Sequence, residues 1–493
     1  MKKAKVNRPG QEPAIIRQSP LINAVRKEKP VYTNNGAKTQ SSSLYKVLDL
    51  FFIAGASRKM SEKQIIDMFD TALAENTLLA LKCMFWARDI RGGSGERRFF
   101  RVCMEHLRKD YNEIYKSMVN HVPEYGRWDD LFFSTATALS NYRIIKSGLQ
   151  SQNSLLAKWL PRKGNIARII REKLKLSPRN YRKTIVNLSQ TVEQQMCARQ
   201  WKHINYKGVP SVAMNKYRKA FYRNDENRFT AYISAVTKGT KKINASAIFP
   251  HTLVRAIYQG ENEKAVEAQW MNLPNYMEGS NERILPICDT SGSMTDNNNL
   301  PMDVSIALGV YISERNEGPF KDAFMTFSAK PEMLITKGTL KQRLNQIRNA
   351  NAGYNTNLVA AFNSILEAGI KHNLSNKDMP TKVLVISDME FDGTASGYHG
   401  SAQAQKVSSK EFLTNYEVIK RNYSKVGFNM PTIVFWNVNG RPENVPATKD
   451  DRVGLVSGFS PAILKSILGG KIYSPSQLML RTIDSDRYKI IKL

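Results

Sequence analysis

The chain has 493 residues, about three times the ~150-residue length typical of one domain, and its 42% hydrophobic and 24% charged residues lie near globular averages. Those values exclude a disordered tail and a small disulfide-stapled scaffold. Charge is the abnormal quantity: 73 Lys and Arg against 43 Asp and Glu give a formal +30, which favours polyanionic partners over neutral small molecules.

Residues 1 to 40 carry nine Lys or Arg and two Asp or Glu among Pro, Asn, Gln and Ser. This composition predicts a flexible basic arm. The start lacks the apolar core of roughly 7 to 15 residues that a secretory signal needs, and no stretch approaches the ~18 uninterrupted apolar residues of a membrane span. Four scattered cysteines, Cys83, Cys103, Cys197 and Cys288, show no C-x-x-C spacing. They read as small buried hydrophobes in a reducing compartment. A cytoplasmic protein with no membrane partner is expected.

Residues 41 to 280 read as one helical domain. In SSLYKVLDLFFIAG, SEKQIIDMFDTALA and NTLLALKCMFWARD, apolar residues recur at three- and four-residue intervals between short polar breaks. Ser61, followed by Glu62 and Gln64, has the pattern of a helix start, because its hydroxyl can accept from an otherwise unpaired backbone N–H. The glycine-rich loop from Arg91 to Arg98 lacks the Gly-Lys-Ser/Thr of a P-loop and reads as a tight helix connection. Short helices with short links predict antiparallel pairs stacked as an irregular helical-repeat (HEAT-like) domain, although no repeat of constant length is present.

Most of the surplus charge falls in residues 158 to 242, where 21 Lys or Arg face 4 Asp or Glu, so local pairing cannot neutralise it. In KWLPRKGNIARIIREKLKLSPRNYRKTI, Arg162, Lys163, Arg168, Arg171, Lys173, Lys175, Arg179, Arg182 and Lys183 recur too often for one helical face. Some must flank helix ends and the Ser177-Pro178 break. Arg218, Lys219 and Arg223 follow in NKYRKAFYRNDENRF. Cations on both sides of a turn form a surface able to follow a phosphate backbone. Trp159, Tyr181, Trp201, Tyr206, Tyr217 and Tyr222 are interleaved with them; each either stacks on an unpaired base or, more commonly, packs into a core.

From Arg283 the pattern changes. RILPICD, AFMTFS, KVLVISD and TIVFWNV are short, nearly continuous apolar runs, as expected of parallel strands buried on both faces. Amphipathic segments of helical length lie between them, among them MDVSIALGVYISE, TLKQRLNQIRNA and NLVAAFNSILEAGI. Strand alternating with helix predicts a doubly wound α/β domain over residues 281 to 493. In such sheets ligands sit beyond the carboxyl ends of the strands.

The first of these strands ends in Asp289-Thr290-Ser291-Gly292-Ser293, whose alternate spacing can direct Asp289, Ser291 and Ser293 to one side of a turn. Hard oxygen donors on a tight loop suit Mg²⁺ or Mn²⁺. Gly353-Tyr354-Asn355-Thr356-Asn357 offers another hydroxyl before a helix, and the strand from Val383 delivers Asp388 at its C-terminal end. Without a metal, the same hydroxyls would cap helices while the carboxylates accept backbone hydrogen bonds. Asp296, Asp303, Glu390 and Asp392 lie close enough to tune such a site without being ligands. Asp-x-Ser-x-Ser, then Thr, then strand-Asp resembles the metal-ion-dependent adhesion site of von Willebrand factor A domains. The resemblance implies that Ser291, Ser293 and Thr356 supply hydroxyl ligands, with Asp289 and Asp388 binding directly or through water. It further implies a coordination position completed by a partner's carboxylate.

Further upstream, FWARDIRGGSGER from Phe85, YGRWDDL from Tyr125, WLPRK from Trp159 and VPS from Val209 resemble signatures of an uncharacterised family of plants, microbes and phages that joins a helical region to a C-terminal A-type domain. The same domain order resembles the Ro autoantigen, in which a helical TROVE domain binds structured and misfolded RNA. By that analogy a non-enzymatic RNA-binding protein is expected, holding structured RNA and engaging an acidic protein partner at the metal site. The six His residues form no H-E-x-x-H motif, and no nucleophile-base-orienter set is visible. A protein-interaction scaffold is the alternative. A metal-dependent nuclease centred on Asp289 and Asp388 is weaker, because hydroxyl ligands leave too little negative charge for a two-metal arrangement.

Overall fold

The computed structural model describes residues 31–327, 331–349, 356–392, 414–449 and 451–493. The chain falls into two units. One takes in the described residues up to Cys83 together with Phe249–Arg255 and Asn275–Lys489; the other takes in Met84–Ile248, Ala256–Pro274 and Ile490–Leu493. Among the described residues, no helix is long and apolar enough to cross a membrane.

The first unit is organised by a mixed sheet of mostly parallel strands: β3 (Ile284–Cys288), β4 (Ala323–Thr326), β5 (Met333–Ile335), β6 (Lys382–Ser387), β7 (Thr432–Asn437) and β8 (Val453–Ser457). Their spatial order is β5-β4-β3-β6-β7-β8, and only the β4–β5 pairing is antiparallel. The four apolar runs read from the sequence are β3, β4, β6 and β7. Their side chains are buried along almost the whole length of each strand, as a sheet covered on both faces requires. β5 and β8 were not foreseen. β5 is a three-residue edge strand with two exposed side chains, too short and too wet to leave an apolar run.

Successive strands step outward from β3 to β4 on one side and from β6 to β7 and β8 on the other. The direction of winding therefore reverses between β3 and β6. Right-handed crossovers running in opposite directions put their helices on opposite faces, and the reversal opens a crevice at the carboxyl ends of the two central strands. The Asp296–Arg315 helix packs closely beside β3: a Cβ on Gly309 would lie 2.2 Å from Cys288 Sγ and 2.5 Å from the Phe324 ring. Only glycine admits that approach.

Two sequence-based boundaries need correction. Residues 31–40, read as part of the flexible arm, are structured. β1 (Val31–Tyr32) and β2 (Lys38–Thr39) form a short antiparallel hairpin, and Thr33 Oγ1 donates to Phe391 O at 2.7 Å while Thr39 Oγ1 donates to Val445 O at 2.9 Å. Polar side chains with specific long-range partners hold a segment whose composition alone looks disordered. Residues 1–30 lie outside the described residues.

The second difference concerns the start of the helical region, residues 41 to 83, which joins the α/β unit. The Lys46–Ala54 helix buries Val47, Leu48, Leu50, Phe51, Phe52, Ile53 and Ala54. A helix apolar nearly all round cannot be one layer of an open helical stack and needs cover on several sides. Cover includes β8: Ser457 Oγ donates to Phe51 O at 2.8 Å and accepts from Gly55 N at 3.0 Å, so close that a Cβ on Gly55 would meet Ser457 O at 2.4 Å. The following helix, Glu62–Glu75, starts as foreseen, with Ser61 Oγ accepting from Gln64 N at 3.2 Å.

The second unit is helical, and among the described residues no strand lies between β2 and β3. The Arg97–Asp110 helix buries Phe99, Phe100, Cys103, Met104 and Leu107 along one stripe. Cys83, Cys103 and Cys288 are buried as expected, whereas Cys197 is exposed. It ends a short helix, Val192–Cys197, whose buried residue is Val192.

A buried ionic knot ties the first helices of this unit together. Arg88 Nε donates to Asp130 Oδ2 at 2.8 Å, and Arg101 Nε to Asp130 Oδ1 at 2.7 Å. Burial alone would raise the Asp130 carboxyl, but Arg88 and Arg101 outweigh it and hold it below the usual carboxylate range. Asp130→Ala leaves a fully buried guanidinium unpaired, so a loss of about 3–5 kcal/mol is expected. Chemical denaturation with CD detection checks it; a loss below about 1 kcal/mol, the size of an exposed pair, refutes the knot.

Candidate metal centre and nucleic-acid interface

The carboxyl ends of β3 and β6 carry the metal motif. The two strands pair in parallel with Cys288 opposite Ile386, and Asp289 N continues the ladder by donating to Ile386 O at 3.0 Å. This register brings Asp289 and Asp388, one and two residues further on, into electrostatic contact. Asp289 Oδ1 accepts from Ser291 N at 2.9 Å, which folds the Asp-Thr-Ser turn back over the strand end. Asp289 Oδ2 accepts from Ser387 Oγ at 2.5 Å. Ser291 Oγ and Ser293 Oγ lie 3.1 Å apart, so the alternate hydroxyls do share one side of the turn.

Thr356 is joined to this group through the backbone: its carbonyl accepts from Asp392 N at 3.0 Å, and Asp392 feels the Asp289 charge. Thr356 is fully buried, yet its Oγ1 has no hydrogen-bond partner among the described residues. An orphaned buried hydroxyl costs about 1–3 kcal/mol, unless something absent from the protein atoms satisfies it. Gly353, Tyr354 and Asn355 of the same motif lie outside the described residues.

The electrostatics point the same way. Burial, opposed by hydrogen bonds from Ser291 and Ser387, raises the proton affinity of Asp289. Burial, reinforced by the Asp289 charge, pushes Asp388 up to about 7, with Arg441 opposing. Two buried carboxylates side by side repel and need a cation or a proton between them. Among the described residues no cluster of three or more His, Cys, Asp or Glu could hold a metal ion. This donor set is therefore two carboxylates with hydroxyls, hard oxygen throughout, and it fits Mg²⁺ or Mn²⁺.

The neighbouring acids have other partners. Asp303 pairs with Arg255 and Asp296 with Lys59. Glu390 accepts from Asn34 N at 2.8 Å and Asn444 Nδ2 at 3.0 Å. Sequence reasoning missed Arg441, which donates to Asp388 Oδ2 at 3.2 Å and lies 3.5 Å from Glu390. Its signal was its place: Arg441 follows β7, so it sits at the same carboxyl edge of the sheet as the motif. Ser387 was likewise overlooked, although it immediately precedes Asp388.

The basic segment belongs to the second unit. Lys163 caps the Gly164–Lys173 helix, which carries Arg168, Arg171 and Lys173; Lys175 lies in the connection with φ 55°; Ser177 caps the Pro178–Ser189 helix, which carries Arg179, Arg182 and Lys183. Cations thus flank a turn, as the spacing required. Arg162, Lys163, Arg168, Lys173, Lys175, Arg179, Arg182, Lys183, Lys219 and Arg223 are exposed and Arg171 is half-buried. Among the nine from Arg162 to Lys183, the one ion pair among the described residues is Arg168 with Glu172 at 3.1 Å.

Arg218 must be withdrawn from the interface. It is 2% exposed and bonds Glu261 at 2.7 Å through Nε and Asn215 through Nη1, a core position on the inner face of the Ser211–Asn224 helix. Lys219, on the outer face, keeps a longer contact to Glu261 at 3.5 Å. Most interleaved aromatics are core as well. Tyr206 packs against Phe221, Phe229 and Tyr232 with centroids 5.2–5.5 Å apart, and Tyr181 is buried with its hydroxyl on Pro161 O. Trp201 and Tyr217 pack partly buried against the same cluster, Trp159 lies under Arg127, and Tyr222 is exposed. At the Arg91 to Arg98 loop, Glu96 Oε1 accepts from Arg98 N at 2.9 Å. A carboxylate thus fills the helix-start position that a phosphate would need.

Comparison with known proteins divides the chain in two near residue 282, a division that does not follow the two structural units, since the N-terminal match runs from one unit into the other. Residues 283–488 match the model of a domain of unknown function (DUF7788), and residues 33–112 and 134–281 match that of another (DUF2828). The second match begins within the hairpin that holds residues 31–40, and the break between the two matches falls just before β3. The chain is also similar to an uncharacterized protein of Acanthamoeba polyphaga mimivirus, 27% identical over 515 aligned residues that span 92% of this chain and 87% of that protein. These resemblances support an uncharacterised family and carry no activity with them.

The carboxylate pair predicts an unusual pH response. A carboxyl whose folded pKa is raised binds its proton more tightly in the native state, so its contribution to stability is complete below about 3.8 and is lost as pH rises to about 7. In EDTA, the wild type should therefore lose stability over this window relative to Asp388→Asn. Millimolar Mg²⁺ should restore it at neutral pH, by roughly 5 °C in Tm, and Asp289→Ala should abolish the shift. Thermal unfolding against pH checks both; a Tm indifferent to Mg²⁺ and Mn²⁺ counts against the site.

Proposed function

We propose that this chain is a non-enzymatic RNA-binding protein in which the helical unit, read as an irregular HEAT-like array, holds RNA by its phosphates. A von Willebrand factor A-type sheet then carries a separate metal-dependent adhesion site. The observation that carries the RNA reading is the run from Arg162 to Lys183: cations on two helices and the intervening turn, almost all exposed and with Arg168 alone paired among the described residues. Neutralising several phosphates releases condensed counterions and makes such a surface a general polyanion binder. The Ro-like order of domains favours RNA among polyanions, by analogy.

At the second site, Asp289, Ser291, Ser293, Thr356 and Asp388 would hold Mg²⁺ or Mn²⁺. A bound cation there supplies a positive centre for a carboxylate of a protein partner. Ser387 and the Ser291 backbone orient Asp289, while Arg441 orients Asp388 and keeps net negative charge low. The crevice position between β3 and β6 supports the adhesion reading, and the orphaned Thr356 hydroxyl favours a metal there over simple helix capping. With two carboxylates, one already shared with Arg441, the set is poor in the negative charge a two-metal nuclease requires. A scaffold that captures an acidic partner through this site remains the second reading.

RNA affinity, followed by fluorescence anisotropy, should fall about 50-fold or more between roughly 50 and 200 mM salt if some four phosphates are engaged. Reversing Arg168, Arg171, Arg179 and Arg182 to Glu should flatten that slope. Asp289→Ala should leave RNA affinity within about twofold and abolish partner capture. Salt-independent binding would sink the RNA reading.

A further inference from the structure

The second unit contains a cavity of about 320 Å³ that the phosphate-binding surface does not use. It lies among the Ser154–Trp159 helix, the turn after the Pro178–Ser189 helix, and the segment from Asn205 to Pro210. We infer that this cavity receives one unpaired nucleobase of a bound RNA and reads its hydrogen-bonding edge. The inference rests on the RNA-binding reading and deepens it, adding a sequence-reading pocket to a surface that otherwise reads only phosphates.

Three features of the cavity carry the inference. Its walls are of two kinds: Leu155, Val192, Val209 and Pro210 are apolar, while Gln190, Gln195 and Asn205 bring side-chain amides. A nucleobase is likewise flat and apolar on its faces and polar at its edge. Leu155 is 57% exposed, an apolar side chain left in water beside a cavity. Secondly, the three amides have no side-chain hydrogen-bond partner among the described residues. Each offers both donors and an acceptor, the chemistry that matches base edges. Glu193 adds a carboxylate, one oxygen of which already accepts from Tyr217 at 3.2 Å.

Thirdly, the cavity is continuous with the cationic helix. Ser189, the last residue of the helix that carries Arg179, Arg182 and Lys183, lines the wall, and Arg162 Nη2 reaches its hydroxyl at 3.4 Å. At about 1.5 Å per residue, Lys183 lies about 9 Å along the axis from Ser189, close to the reach of one or two nucleotides. Lys158 lines the cavity itself. A strand held by these cations can turn one base inward, as single-stranded RNA readers require. The volume sits at the lower end of the ~300–1,000 Å³ usual for ligand pockets, which suits one base and excludes a duplex.

The test uses the full chain and fluorescein-labelled 12-mers of rU, rC and rA at one fixed salt concentration, read by anisotropy. The wild type should prefer one base by about tenfold. Gln195→Ala combined with Asn205→Ala should erase that preference while leaving the weaker ligands within twofold and the salt slope unchanged. Gln195→Glu, which replaces the amide donor with an acceptor at constant size, should change the order of preference. Equal affinity of the wild type for all three oligomers overturns the pocket while leaving the phosphate surface standing, as does an equal loss for all three in variants whose Tm is unchanged. Absence of binding to every oligomer even at low salt overturns the RNA reading and the pocket with it.

Discussion

The parallel pairing of β3 with β6 is the constraint on which the first unit turns. It joins strands separated by almost a hundred residues, and it does so in a register that ends both at the same level, Cys288 beside Ile386. One slipped residue would send Asp289 or Asp388 to the opposite face. In register, two acidic side chains emerge together at the point where the sheet reverses its winding, with a serine-rich turn folded over one and an arginine against the other. The long hydrophobic burial along both strands stabilises this unfavourable juxtaposition of charge.

Charge is divided between the units with contrasting chemistry. In the helical unit, cations stand in water, where dissolved ions screen them. In the α/β unit, the net charge of the sequence from residue 281 is small, and the carboxylates that matter are buried, where a single cation counts for much more. One unit suits many weak contacts along a polymer; the other suits one strong contact at a point.

Legibility followed the range of the interactions involved. Strand periodicity, the helix start at Ser61 and the splitting of cations around Ser177-Pro178 are local, and each was readable. The placing of Asp289, Ser291, Ser293 and Asp388 at the ends of two strands was readable because the spacing is local within each piece. The hairpin at residues 31–40 was not, since what defines it are partners hundreds of residues away, Thr33 with Phe391 and Asn34 with Glu390; nor was Arg441, whose partner Asp388 lies 53 residues back on another strand end. Arg218 failed for a related reason. Its neighbour Lys219 has the same charge in the same helix, and only the burial of one face, with Glu261 waiting beneath it, separates a structural arginine from an exposed lysine.

The Lys46–Ala54 helix bears on how the chain is made. Gly55 and Ser457, which close it against β8, are 402 residues apart, and the intervening chain includes most of the helical unit. At about 5–20 residues per second, synthesis leaves this nearly all-apolar helix without its final cover for some 20–80 s. Residues 84–248, the bulk of the helical unit, are made before the first strand of the sheet. An early-made segment with a late-made partner is a natural client for a chaperone, and premature termination anywhere before β8 releases a chain whose most hydrophobic helix has nowhere to go.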